Sequence, residues 1–311
     1  MKILITGASG FIGQHLCQYI LSLNHTIHAV SRYPQTDDTP IIWHQIDLAN
    51  PESLHHLLTQ IQPDLIYHLA GLTRGSLPEL MTANVLHSEY LFTAVAQTCP
   101  QARLLVLGSA ASYGFVTPNE TPIPETAPLR PLSPYGLSKA TQDMLADQYA
   151  RRYNLQIIRG RLFNVTGPGE PPTQVIAAIA QKLIHCEQTN QSTLKTGNLQ
   201  AYRDFLHVRT AAQLIYQLGL QGTIREVYNI CSGQATQIET LINILIKGAT
   251  HPITLAPEPK TQQLSWDVPI SVGDPSKIQK LTASLPPNLS LVTAVEQVLL
   301  EWRHKMKDNF T

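Results

Sequence analysis

Short apolar runs alternate along this chain with longer segments whose apolar positions recur every three or four residues, and the alternation is regular through the first half. The run Met1-Lys2-Ile3-Leu4-Ile5-Thr6 predicts a strand. It leads through Gly7-Ala8-Ser9-Gly10-Phe11-Ile12-Gly13 into an amphipathic helix carrying Phe11, Ile12, Leu16, Ile20 and Leu23. Further strands are expected at 26–32, 41–46, 65–69, 104–107 (ending at Gly108-Ser109) and 155–161. Helices are expected at 51–60, at about 78–98 as one long element, and at 134–153. Strand and helix alternating in this way is the signature of a parallel sheet with right-handed crossovers, so the expected class is α/β with a doubly wound parallel sheet. Beyond Gly167-Pro168-Gly169-Glu170-Pro171-Pro172 the regularity drops and prolines interrupt it. A dinucleotide-binding domain over 1–165 and a smaller C-terminal α/β substrate domain over 166–311 follow as expectations.

With 311 residues, 43% of them hydrophobic and 14% charged, the chain can bury a large core. Its net charge is zero and no basic stripe is present, which argues against a nucleic-acid partner. No apolar run approaches the length of a membrane span. The first residues read as a strand feeding a glycine turn rather than a signal peptide, so a cytoplasmic location is expected. Cys17, Cys99, Cys186 and Cys231 are scattered without CxxC spacing, and the twelve histidines form no ligand pattern. Buried reduced thiols and no metal centre are therefore expected, with His55 and His56 on the outer face of a helix.

Strand, tight glycine turn and helix together make the Rossmann arrangement for binding a pyrophosphate. Gly7, Gly10 and Gly13 let the backbone turn and come close to the phosphates, and the helix start offers unpaired N–H groups. The second strand ends in Ser31-Arg32 instead of an acid, which points to NADP(H) as the preferred cofactor with NAD(H) possible. Asp37 and Asp38 sit too far into the next loop to serve the ribose. Tyr135 and Lys139 lie four residues apart after Pro134, on one face of the helix at 134–153. A free phenol titrates near pH 10, so a tyrosine that moves protons at neutral pH needs a nearby cation, and Lys139 is placed to be one.

These motifs fall in the order of the extended short-chain dehydrogenases/reductases, which the chain resembles over nearly its whole length. They are GxxGxxG at Gly7, Gly10 and Gly13; Asp47-Leu48; His68-Leu69-Ala70-Gly71; Asn84; Ser109 before Tyr113-Gly114; Ser133-Pro134-Tyr135-Gly136-Leu137-Ser138-Lys139; and the run from Arg161 to Gly169. The segments Gly197 to Arg209 and Glu226 to Gly233 are similar to the branch acting on GDP-mannose derivatives. The resemblance implies an NAD(P)-dependent nucleotide-sugar oxidoreductase in which Ser109 and Tyr135 bond the reacting sugar oxygen. Lys139 would hold the nicotinamide ribose and depress the phenol pKa. Gly7, Ser9, Gly10, Phe11, Ile12, Gly13, Ser31, Arg32, Asp47, Leu48, Leu69, Ala70, Gly71, Tyr135 and Lys139 would contact the cofactor, and Asp47 would read adenine or cap its own turn. Ser109, Asn164, Arg203 and Arg209 would contact substrate, though Arg203 could instead form an ion pair with Asp204. A segment near 201–232 would return to the first domain. A homodimer through the two long helices is also implied.

Two departures narrow the expected reaction. Ala110-Ala111 stand where 4,6-dehydratases of the family carry an acid, and Glu125 is the nearest replacement in sequence. Alanine cannot move a proton, so reactions needing only a hydride and one proton are favoured, and Arg32 favours a consumed NADPH; the branch resemblance then implies reduction of the 4-keto group of a GDP-linked 4-keto-6-deoxyhexose, giving a 6-deoxyhexose such as GDP-rhamnose. An epimerase that recycles its cofactor and a non-catalytic cofactor sensor are the alternatives. Thr210 replaces a frequent aspartate and bears on how the two halves are tied together.

Overall fold

The computed structural model describes residues 1–35, 39–257, 268–281 and 289–308; Asp37 and Asp38 lie outside them. The first half is built as β1 (Lys2–Thr6), α1 (Phe11–Leu21), β2 (Thr26–Ser31), β3 (Ile42–Gln45), α2 (Pro51–Ile61) and β4 (Leu65–His68). It continues with α3 (Leu77–Met81), α4 (His87–Thr98), β5 (Arg103–Ser109), α5 (Pro134–Arg152) and β6 (Gln156–Leu162). The remainder is β7 (Asn164–Thr166), α6 (Val175–Gln188), β8 (Thr193–Thr196), β9 (Tyr202–His207), α7 (Val208–Gln221), β10 (Val227–Ile230), β11 (Ala235–Gln237), α8 (Ile238–Lys247), β12 (Thr254–Pro257), β13 (Ile270–Ser271), α9 (Ser276–Gln279) and α10 (Leu291–Asp308).

Seven strands pair in parallel in the order β10-β6-β5-β4-β1-β2-β3. Strand order reverses between β1 and β4, and that crevice is where open α/β sheets bind ligands. Alternation along β1 explains why both faces are covered. Ile3 and Ile5 join Leu16, Ile20 and the apolar face of α7 on one side, while Leu4 joins Leu54, Leu58, Phe92 and Val95 on the other. A second sheet pairs β11, β9, β13 and β7, and β8 pairs with β12. These lie with α6, α8 and α10 around a separate core that includes Leu183, Ile242, Leu245, Val295 and Leu299. The Thr210 hydroxyl on α7 accepts the Leu289 N–H at 3.1 Å, joining α7 to the segment before α10.

The long helix expected at about 78–98 is interrupted. α3 and α4 are separated by a π-helical turn at Thr82–Leu86, which turns the side chain of Asn84 into the core. There Asn84 mimics a paired strand: its Oδ1 accepts the Leu72 N–H at 2.8 Å, and its Nδ2 donates to the Leu72 carbonyl and to Ser138 Oγ, both at 2.9 Å. The helix therefore gives up regular pairing and gains a clamp between the loop after β4 and α5.

Candidate active site

β1 ends in a turn that leaves no room for side chains. Gly7 has φ +72°, and a Cβ there would meet Ala70 N at 2.7 Å; a Cβ on Gly13 would lie 2.1 Å from the Gly7 carbonyl oxygen. The backbone can thus come close to whatever sits above α1. Beside it opens a cavity of about 600 Å³ lined by Gly7, Ser9, Gly10, Ser31, Arg32, Asp47, Leu48, Leu69, Ala70 and Gly71. Arg32 is exposed on this wall. Asp47 lines it too, and its Oδ1 also accepts the Ala49 N–H at 3.0 Å, so both expected roles are open to the same carboxylate. A dinucleotide fits this cradle.

The neighbouring cavity, of about 400 Å³, shares Leu69, Gly71 and Leu72 and holds Ile12, Ser109, Tyr135, Lys139 and Asn164. Local sequence explains how the first three polar groups converge. Ser109 closes β5, and its Oγ accepts the Ala111 N–H at 3.2 Å, starting the tight turn Ala110–Ser112. Ser133 caps α5 by accepting the Gly136 N–H at 3.0 Å, with Pro134 at the first helical position. Gly136 then packs on that turn so closely that a Cβ would be 2.4 Å from the Ala111 carbonyl oxygen. One glycine contact brings the hydroxyl of Ser109 and the phenol of Tyr135 to the same wall.

Electrostatics here differ from expectation at one point. The Tyr135 phenol is raised above its ordinary value by burial, and the opposing influence is the Ser109 hydrogen bond, not Lys139. Lys139 is itself buried, with Nζ donating to the Leu107 carbonyl at 2.7 Å and to Gln142 Oε1 at 2.5 Å. Desolvation pulls this ammonium down to about 8, against the pull of Asp143. The proton-bearing phenol is therefore the stable form at neutral pH, which suits a proton donor.

Four expected contacts lie off both cavity walls. Gly13 is buried against the Gly7 turn, and Phe11 packs against His15, so both shape the cradle from behind. Arg203 and Arg209 do not line the 400 Å³ cavity. Arg203 donates to the Tyr202 and Val268 carbonyls, each at 2.8 Å. It points away from Asp204 because neighbours on a strand face opposite ways, and Asp204 instead accepts Ser232 N and Gly233 N at 2.8 Å. Arg209 is exposed at the start of α7. Glu125 is also off the wall: its Oε1 accepts the Asn229 N–H at 2.9 Å.

Sequence reading missed Thr73, Phe163, Glu170, Gln174, Val175 and Phe205 on the smaller cavity, and His87 with the start of the π turn on the larger one. Phe163 and Phe205 lie inside motif runs, Arg161 to Gly169 and Gly197 to Arg209, and Glu170 lies in the run Gly167 to Pro172, which sequence reading treats as a boundary. Glu170 is the acid on the smaller cavity's wall among the described residues. Thr166 Oγ1 donates to its Oε2 at 2.5 Å and the Ala177 N–H to its Oε1 at 3.1 Å, so the carboxyl anchors the start of α6.

Burial lifts the Glu170 carboxyl from 4.5 to about 7. A carboxyl whose folded value exceeds its unfolded one contributes stability that is complete below pH 4.5 and lost as pH rises through about 7. Glu170→Gln should therefore flatten the fall in melting temperature across that window relative to wild type. Parallel thermal melts from pH 4.5 to 8 would check it, and identical slopes would remove the claim.

A model of the NAD dependent epimerase/dehydratase family matches residues 3–231. The chain is 28% identical to GDP-6-deoxy-D-mannose reductase of Pseudomonas aeruginosa, with 99% of each chain covered. It is 28% identical to GDP-6-deoxy-D-talose 4-dehydrogenase of Aggregatibacter actinomycetemcomitans, over 89% of this chain and 90% of that one. The solved structure of RMD from Pseudomonas aeruginosa complexed with NADPH superimposes with a TM-score of 0.82 at 26% identity, covering 98% of both chains.

Proposed function

The chain belongs to the NAD dependent epimerase/dehydratase family, and we propose that within it this protein uses NADPH to reduce the 4-keto group of a GDP-linked 4-keto-6-deoxyhexose, giving a 6-deoxyhexose such as GDP-rhamnose. The observation that carries this reading is the polar set on the smaller cavity. Ser109, Tyr135 and Lys139 face it, while Ala110 and Ala111 follow Ser109 and Glu170 is tied to Thr166 and to the Ala177 N–H at the start of α6. Elimination of a C6 hydroxyl needs an acid free to move a proton, and reduction does not. Similarity to a reductase and a 4-dehydrogenase, both named for chemistry on GDP-6-deoxyhexoses, supports the same position and the same base.

Residues 1–165, with 201–232 returning, form the cofactor-binding part in this reading, and 166–311 the substrate-binding part. Gly7, Ser9 and Gly10 hold the pyrophosphate, Ser31 and Arg32 the ribose 2′-phosphate, and Asp47 with Leu48 the adenine. Bound there, the nicotinamide supplies a hydride to the sugar C4. Ser109 orients the carbonyl oxygen by donating a hydrogen bond, which its acceptance of the Ala111 N–H leaves it free to do. Tyr135 gives its phenolic proton to the same oxygen as negative charge develops there. Lys139 holds the nicotinamide ribose. Asn164 contacts the sugar nucleotide at the far side of the cavity. Leu86 at the end of the π turn before α4, and Leu137 and Met144 on α5, are exposed and support a homodimer formed through α4 and α5.

The test is loss of NADPH absorbance with purified GDP-4-keto-6-deoxymannose and stoichiometric formation of a 6-deoxyhexose. Turnover of a nucleotide sugar without net NADPH loss would instead show an epimerase. For the cofactor, Arg32→Ala should weaken NADPH binding by about 10- to 100-fold with little change for NADH, since one charge-assisted contact to the phosphate is removed. Fluorescence titrations with both cofactors check it, and an unchanged ratio of the two affinities would sink the assignment of Arg32.

A further inference from the structure

Lys139, Gln142, Ser88, His68 and Thr6, drawn from α5, α4, β4 and β1, form one unbroken chain of hydrogen bonds leading from the smaller cavity into the core. Gln142, Ser88 and Thr6 are fully buried and His68 is 1% exposed, so water offers no alternative partners. Gln142 Nε2 donates to Ser88 Oγ at 2.8 Å, and Ser88 donates its one hydrogen to the Asn84 carbonyl at 2.7 Å. Since that hydrogen is committed, Ser88 Oγ must also accept from His68 Nε2, 2.8 Å away. His68 therefore carries its proton on Nε2, and its Nδ1 accepts from the Thr6 hydroxyl at 2.8 Å. Desolvation, with Lys139 and His87 nearby, lowers this imidazole to about 3, so it stays neutral.

The direction of the chain fixes the Gln142 amide. Its NH₂ must face Ser88, so its oxygen must face Lys139; a flipped amide would put hydrogens against the ammonium and leave Ser88 Oγ opposite another acceptor. We propose that Gln142 is a positioning residue for the reduction: it presents a fixed amide oxygen to Lys139, so that two of the three ammonium N–H bonds are held by protein and the third is left to the cavity. The role rests on the reductase reading, and nothing in the Tyr135 and Lys139 motif specifies a glutamine at the next turn.

Among the described residues, the charged and titratable groups near this part of α5 are these. Tyr135 and Asp143 share the helix with Lys139, His68 comes from β4, His87 from α4 and Arg161 from β6. His68 and His87 are both shifted toward the neutral form, and Arg161 is matched by Asp143. Gln142 thus opposes the desolvation of Lys139 at contact distance without adding a charge that would hold the ammonium away from a cofactor hydroxyl.

Full-length protein labelled at lysine Cε allows the ammonium to be titrated by NMR, with Lys139→Met identifying its signal. Gln142→Met should lower its midpoint by about one unit, a tenfold change in protonation, and Gln142→Glu should raise it above wild type. The alkaline limb of kcat/KM for NADPH-dependent reduction should move in the same two directions. Should the methionine variant not fold, the glutamate variant decides alone. An unmoved lysine midpoint, with activity reduced equally at every pH, would show a packing role and overturn the proposal. If wild type reduces no keto sugar the reductase reading fails, while the lysine titration still decides the role of Gln142.

Discussion

Tyr135→Phe is expected to lower kcat for keto-sugar reduction by about 10²- to 10⁴-fold while leaving the dissociation constant for NADPH within about threefold of wild type. The aromatic ring remains, so the packing at the start of α5 and the contact of Gly136 with the Ala111 carbonyl are kept. What disappears is the hydroxyl that faces the same cavity as Ser109 and would give its proton to the sugar oxygen. Burial makes the neutral phenol the resting form, so the proton is in place before substrate arrives, and no other hydroxyl on that wall has Lys139 one helical turn away. Ser109 can still orient the carbonyl, which is why the variant should keep measurable activity. Stopped-flow absorbance of NADPH gives the rate and fluorescence the affinity. A kcat within tenfold of wild type would move the proton donor elsewhere.

Asp143→Ala should destabilise the fold by about 3–5 kcal/mol, the cost of leaving a buried cation without its partner. Asp143 is buried on the same helix as Lys139. Its Oδ2 accepts Arg161 Nη2 at 2.8 Å and lies 3.5 Å from Arg159 Nη1, with all three side chains largely covered. Arg159 keeps a second carboxylate, Asp147, at 3.0 Å. Among the described residues Arg161 has no second carboxylate: it also meets the Glu125 carbonyl at 3.1 Å and the face of Tyr113, with its guanidinium carbon 4.9 Å from the ring centre. The substitution also removes the carboxylate that supports the Lys139 ammonium, so the surviving folded protein should lose activity at alkaline pH first. Urea denaturation measures the first effect and a pH profile the second. A loss of stability under about 1 kcal/mol would mean that water or a rearranged side chain reaches Arg161.

Both predictions depend on features of different legibility. Tyr135 and Lys139 and the glycines at 7, 10 and 13 were readable because each is a short-range pattern, while Ser109 came from the family resemblance. Strand period, helical period and turn chemistry constrain residues close in sequence, and a motif is such a constraint with chemistry attached. Arg32 was readable for the same reason, lying at the end of the second strand. By contrast, Arg203 and Arg209 were placed by resemblance alone, and the fold turns the first toward the carbonyls of Tyr202 and Val268 and leaves the second exposed at the start of α7.

The sequence by itself determined the α/β class, the dinucleotide turn and the pairing of a phenol with an ammonium on one helix face. Tertiary structure decided which groups those motifs meet. It interrupted the long helix with a π turn so that Asn84 could hold Leu72 and Ser138, and it brought Glu170 to the wall of the smaller cavity. It turned Glu125 to the Asn229 amide and lined up Thr6, His68, Ser88 and Gln142 behind Lys139. Apart from Gln142, one helical turn from Lys139, the partners in that line come from different elements: Thr6 and His68 from β1 and β4, Ser88 and Gln142 from α4 and α5. No local period records such a meeting, because it is fixed only when buried polar groups must find one another as the layers pack and water is excluded.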